Sequence, residues 1–215
     1  MRILTPTPQK KPSSRQLSAA AENIVATQFA MYGFDVLEQG LRARDVCDLG
    51  VANASGAMTV TVCGSFRGFW NLVDPFVGHT TESLTRADYH RAIDGWLETQ
   101  GQQVTFCLVQ FETPDLKCMP RLYLAKAEEI AAKLHAAVEQ LGDPALYEQY
   151  EVQDGSGRHF VETLPAQWQF REQRIAELMA HETKPLEFKF SESAGCPICA
   201  AAQPAACAHC LPMMN

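Results

Sequence analysis

One run of this chain, Val104-Thr105-Phe106-Cys107-Leu108-Val109-Gln110-Phe111, is apolar on both of its alternating faces. Successive side chains of a strand point to opposite sides, so such a run needs cover above and below. That requirement predicts a central strand of an α/β sheet with helices on both faces. At 215 residues and 47% hydrophobic, the chain can bury a core of that size.

The flanking segments supply the parts. Residues 13–32 read as a helix, with Leu17, Ala21, Ile24, Val25, Gln28 and Tyr32 near a helical repeat, Ser13 or Ser14 as its cap and Gly33 as its stop. A first strand follows at 34–38. Thr85 opens a second helix, about 86–99, with Tyr89, Ile93, Trp96 and Leu97 on one face and Gly101 beyond its end. After the apolar run come a short strand at 122–124 and a third helix at 127–141, closed by Gly142.

Between the first strand and the second helix lies a hairpin, 46–52 paired with 57–63, closed by Asn53-Ala54-Ser55-Gly56. Met58, Val60 and Val62 share one face of its second strand, and Thr59, Thr61 and Cys63 the other. Asp48 points away from Cys47, Leu49 and Val51, so the turn brings it within reach of Thr61 and Cys63. Taken alone, the pattern also fits a half-buried hairpin with one aspartate on its polar face.

The order helix, strand, hairpin, helix, strand, strand, helix resembles the PD-(D/E)xK nuclease superfamily, the restriction-endonuclease-like fold. It looks most like small bacterial members whose first helix carries an Ala-Glu pair and whose third strand reads valine, glutamine, valine, lysine, glycine, serine. Ala21-Glu22 matches the helix pair, Asp48 the metal-binding aspartate, and Val60-Thr61-Val62-Cys63-Gly64-Ser65 the third strand. Gly68-Phe69-Trp70 continues that motif, and Leu122-Tyr123-Leu124-Ala125 before Glu128-Glu129-Ile130 resembles the closing strand and helix. The likeness covers residues 17–141 and implies an α/β fold with an αβββαβ core.

By this resemblance Glu22 and Asp48 are retained, while Thr61 stands where a carboxylate or amide belongs and Cys63 where a lysine belongs. The family's carboxylates hold Mg²⁺, a hard ion that takes oxygen ligands, and the metal with the lysine activates a water. Threonine is neutral and cysteine is no cation. Losing two such electrostatic contacts is expected to abolish cleavage, since one alone is worth about 3 to 4 kcal/mol. Arg67 and Arg44 are candidate phosphate contacts, although Arg67 reads first as an exposed loop arginine, and Phe66, Phe69 and Trp70 first as apolar cover for the sheet and only second as base-stacking groups.

Charge constrains the partner. The chain carries 18 Lys+Arg against 25 Asp+Glu, a formal net charge of −7. Arg42, Arg44 and Arg67 form its densest basic grouping near the site, too little for tight nonspecific DNA binding, which rests on neutralised phosphates. No apolar run is long enough to span a membrane. Residues 1–15 read as a flexible lead-in without the apolar segment of a secretion signal, so a cytoplasmic location is expected. The other histidines (His79, His90, His135, His159 and His181) show no metal or catalytic spacing.

Residues 16–142 form the expected nuclease-like core. Residues 143–190 read as an appendage packed on it: a second hairpin around Asp154-Gly155-Ser156-Gly157, an anchoring Trp168 and a last helix at 171–181. Cys47, Cys63, Cys107 and Cys118 are scattered, the first three in strands, as small buried hydrophobes. Cys196-Pro197-Ile198-Cys199 and Cys207-Ala208-His209-Cys210, in a tail spanning 191–215, offer four thiolates for a structural Zn²⁺. An unstructured tail and a redox pair are the other readings. Two functions stay open: a nuclease-fold protein without cleavage that binds DNA or a partner protein, and an active Mg²⁺-dependent endonuclease using Glu22, Asp48 and a relocated third group.

Overall fold

The computed structural model describes residues 12–38, 48–78, 84–100, 104–113, 118–153 and 155–180. A five-stranded mixed sheet lies at its centre, with helices on both faces. Its strands are β1 (Asp35–Glu38), β2 (Leu49–Asn53), β3 (Gly56–Ser65), β5 (Val104–Gln110) and β6 (Arg121–Lys126), in that spatial order. β1, β2 and β3 form an antiparallel meander, β3 and β5 run parallel, and β6 returns antiparallel to β5. A parallel neighbour needs a crossover, here made by α2 (Arg86–Thr99). The other helices are α1 (Ser14–Met31), α3 (Ala127–Leu141) and α4 (Glu172–Ala180).

Local chemistry sets the helix limits. At α1, Ser13 Oγ accepts the Gln16 amide and Gln16 Oε1 accepts the Ser13 amide at 2.9 Å, a reciprocal capping box. Thr85 and Asp88 do the same for α2. Gly142 closes α3 with φ +70°, a left-handed conformation that costs glycine nothing. The hairpin is tighter than its sequence suggests. β2 extends to Asn53 and β3 begins at Gly56, because Asn53 Oδ1 takes the Ser55 amide at 2.8 Å and turns the chain in two residues.

Two apolar layers sandwich the sheet. On one face α1 and α4 bring Ala21, Val25, Phe29, Ile175 and Leu178 against Leu49, Val51, Met58, Val60, Val62, Cys107 and Val109. On the other, α2 and α3 bring Ile93, Trp96, Ile130 and Leu134 against Phe106, Leu108 and Ala125. Every residue of β5 is buried, as a strand covered on both sides requires. Beyond α3, Leu146, Leu164 and Trp168 join the second layer, and Trp168 is only 2% exposed. A small antiparallel pair, β4 (Phe69–Trp70) with β7 (Leu146–Tyr147), and a separate hairpin of β8 (Gln149–Gln153) with β9 (His159–Thr163) complete the chain.

Candidate functional site

The parity of β3 decides which side chains meet. Met58, Val60 and Val62 enter the α1/α4 layer, so Cys63 faces the other way and packs against the α2/α3 layer. Asp48 lies just before the first paired residue of β2. Its amide donates to the Val60 carbonyl at 3.1 Å, and its Oδ2 accepts the Val62 amide at 2.7 Å. The carboxylate thereby stands in for a backbone acceptor and continues the ladder by its side chain. Asp48 and Cys63 are thus neighbours on one face, as the hairpin geometry predicts, with half-buried Thr61 on the same side of β3.

Low local polarity governs the thiols of β3 and β5. Burial, with the Asp48 charge in support, pushes the Cys63 thiol up to about 12. Burial likewise drives Cys107, paired with Val62 on the adjacent strand, well above its ordinary value. Both sulfurs therefore stay protonated and are poor nucleophiles and poor ligands at neutral pH. Trp70 closes the corner: its indole Nε1 donates to the Cys63 carbonyl at 2.9 Å, and its ring is 4% exposed within the second layer. Trp70 is core rather than a platform for a base.

The turn after β3 is fixed by hydrogen bonds. Ser65 Oγ accepts the Arg67 amide at 3.0 Å and donates to the Phe69 carbonyl at 2.8 Å. Gln110, 4% exposed, accepts the Gly68 amide through Oε1 at 3.0 Å and donates through Nε2 to the Phe111 carbonyl at 2.7 Å. Gly68 takes φ +74° to make this turn. The Arg67 side chain is exposed. Phe66 stacks obliquely on Phe111, with ring centres 5.1 Å apart, and Phe69 similarly meets Tyr147.

Glu22 belongs to α1. It is half-buried on α1, whose packing face lies on the side of the sheet opposite Cys63. Among the described residues, no group of three or more His, Cys, Asp or Glu side chains is arranged to hold a metal ion. Thr61, Cys63 and Asp48 do not suit Mg²⁺: Thr61 is neutral, the Cys63 thiol keeps its proton, and one Asp48 oxygen is committed to Val62. Arg42, Arg44, Cys47, His79, His181 and the four tail cysteines lie outside the described residues.

Two clusters escape a linear reading of the sequence. Glu148, 7% exposed, receives Arg121 Nε at 2.6 Å, Arg121 Nη2 at 2.9 Å and the Tyr123 hydroxyl at 2.7 Å. Burial and the bond to Glu148 push Tyr123 up to about 12. His90 and His135 meet between α2 and α3. Both clusters join residues far apart in sequence, so no local spacing announces them.

No protein-family model matches the chain, and no curated protein is significantly similar to it in sequence. Among the described residues no helix is long and apolar enough to cross a membrane.

Proposed function

We propose that this chain is a nuclease-like domain of the PD-(D/E)xK type that no longer cleaves and instead serves as a nucleic-acid-associated binding or assembly module. The observation that carries the reading is the Asp48–Cys63 corner. An aspartate stands where a metal-binding carboxylate would, on a hairpin beside the third strand. The position that would supply a lysine holds a protonated thiol, and the Trp70 indole donates to the backbone carbonyl of that same residue.

The topology supports the fold half of the proposal. One helix, three antiparallel strands, a crossover helix and a strand parallel to the third give the αβββαβ order of that superfamily. Fold likeness alone assigns no chemistry, which belongs to the site. With a formal net charge of −7, any contact with nucleic acid must rest on a local basic patch and should weaken steeply with salt.

The test is cleavage. Full-length protein with Mg²⁺ or Mn²⁺ should leave supercoiled plasmid and single-stranded DNA and RNA intact. Reproducible nicking that disappears in Asp48→Ala overturns the proposal. The paired replacement Thr61→Glu with Cys63→Lys restores the missing charges, and cleavage appearing in it would identify the scaffold as a nuclease that lost two residues.

A further inference from the structure

The short antiparallel pair of β4 and β7 sorts its side chains by parity. Trp70 and Leu146, opposite one another, enter the core and are 4% and 1% exposed. Phe69 and Tyr147, the other opposed pair, therefore stand on the outer side. Their ring centres are 5.6 Å apart, with planes inclined by 44°. Both line a cleft of about 530 Å³ together with Tyr89 of α2, Asn71, Asp74 and Asp143. That volume falls within the range of small-molecule sites. Neither Asp48 nor Cys63 lines it.

The charge of this cleft is one-sided. Among the described residues no lysine, arginine or histidine lines it, whereas Asp74 and Asp143 do. α3 ends at the cleft with Gly142, and its last turn carries no basic side chain, so the negative end of the helix dipole is left facing the opening. The opposite dipole at the start of α2 is met by Asp88 in its capping box. Asp143 is already fixed in place: Oδ1 accepts the Ala145 amide at 2.9 Å and Oδ2 the Tyr147 hydroxyl at 2.5 Å. The bond to Asp143, with burial and the Asp143 charge in support, pushes Tyr147 up to about 12. The phenol therefore stays neutral, and its hydroxyl is tethered before any ligand arrives.

An aromatic face carries negative potential and attracts a cation lying within about 6 Å of its centre. Three aromatic residues, two carboxylates and a helix C-terminus together make a cleft for positive charge. We infer that it binds a quaternary ammonium group, carried by a choline-like small molecule or by a trimethylated lysine side chain. An unmethylated ammonium is strongly hydrated and brings three hydrogens that need acceptors, while both oxygens of Asp143 are already engaged. A quaternary nitrogen has no hydrogen to donate, and its methyl groups give the rings apolar surface to cover. A metal ion is the poorer occupant, because a hard cation needs several free oxygen ligands.

The experiment begins with the unaltered full-length chain. Amide ¹H–¹⁵N spectra follow titrations with choline and, separately, with its neutral carbon isostere dimethylbutanol. Choline should shift amides near Phe69, Asp74, Asp143 and Tyr147 and bind at least about tenfold more tightly than the isostere. A short peptide bearing trimethyl-lysine identifies the source: binding tighter than that of choline assigns the site to a modified side chain, and weaker binding to a free molecule. Tyr89→Leu and Phe69→Leu should each weaken binding about 5- to 30-fold, with an unchanged melting profile showing that the fold survives. Equal affinity for choline and its isostere would reveal an apolar crevice indifferent to charge and overturn the site. Equal affinity for the trimethylated peptide and the same peptide with plain lysine, or no response to choline and trimethylated peptide alike at millimolar concentration, would overturn it too.

Discussion

Gly64 on β3 and Ala21 on α1 approach so closely that a β-carbon on the glycine would stand 3.1 Å from that of the alanine. Leu17 presses on the same point, with its Cγ at 3.2 Å and its carbonyl oxygen at 3.3 Å. The contact fixes how low α1 rides over the end of β3. Gly64→Ala should therefore lift the helix and destabilise the fold by about 1 to 3 kcal/mol, read as a lower midpoint in urea. Adding Ala21→Gly should recover part of the loss, because it frees one of the crowding atoms. Fully additive losses in the double variant would mean that the two residues do not press on each other.

Cys63 and Cys107 give a prediction about alkaline pH. Both thiols are raised in the folded chain, Cys63 to about 12 from an ordinary 9.0. Above that ordinary value the unfolded chain loses thiol protons that the folded chain keeps. Stabilisation from this source is thus complete below about pH 9 and drains away as pH climbs toward 12. Cys63→Ala should flatten the alkaline limb of a stability-against-pH curve without moving its neutral portion in parallel. At pH 8 a thiol reagent should modify exposed Cys118 rapidly and leave Cys63 and Cys107 untouched in the native protein.

Glu148 works in the opposite direction. Burial alone would raise its carboxyl, but the Arg121 and Tyr123 hydrogen bonds and the Arg121 charge outweigh that and hold it below the ordinary range. Its contribution is present above about 4.5 and is lost as pH falls through the depressed folded value. Glu148→Gln, which cannot ionise, should remove that part of the acid transition. Glu148→Ala should cost about 1 to 3 kcal/mol at pH 7, by leaving Tyr123 and Arg121 without their acceptor. Denaturant titrations at pH 3 and pH 7 check both.

The paired cysteines near the C-terminus carry a prediction from sequence. Cys196, Cys199, Cys207 and Cys210 should bind one Zn²⁺ in reduced, untagged protein, with affinity falling as acid protonates the thiols. Metal analysis should find that zinc lost in the Cys199→Ser, Cys210→Ser chain. A chelator should leave the unfolding midpoint of the sheet and its helices unchanged, since residues of α1 to α4 and of the strands themselves build both apolar layers.

The main elements are legible because each is written locally. A strand apolar on both faces must be central, and β5 is buried throughout. Ser13, Thr85 and Gly142 mark helix limits by side-chain and backbone chemistry confined to a few residues. Strand parity places Asp48 beside Cys63. What escapes is written across distance. His90 and His135 each read as an ordinary helix-face residue until α2 and α3 are laid together. Arg121 gains its meaning from Glu148. The same holds for α4, whose Ile175 and Leu178 are apolar in sequence but show only in three dimensions that they share a layer with α1.

The parallel pairing of β3 with β5 sets the timetable by which the chain can become itself. The residues it joins, such as Val60 and Thr105, are about 45 positions apart, whereas the meander of β1, β2 and β3 closes through short turns. A ribosome delivers the meander first. From then until β5 emerges, the inner edge of β3 stands bare, with apolar Met58, Val60 and Val62 beside it and hydrogen-bonding groups open to any passing strand. The most dangerous moment in the life of this protein comes before it is finished, and it lasts as long as the synthesis of one crossover.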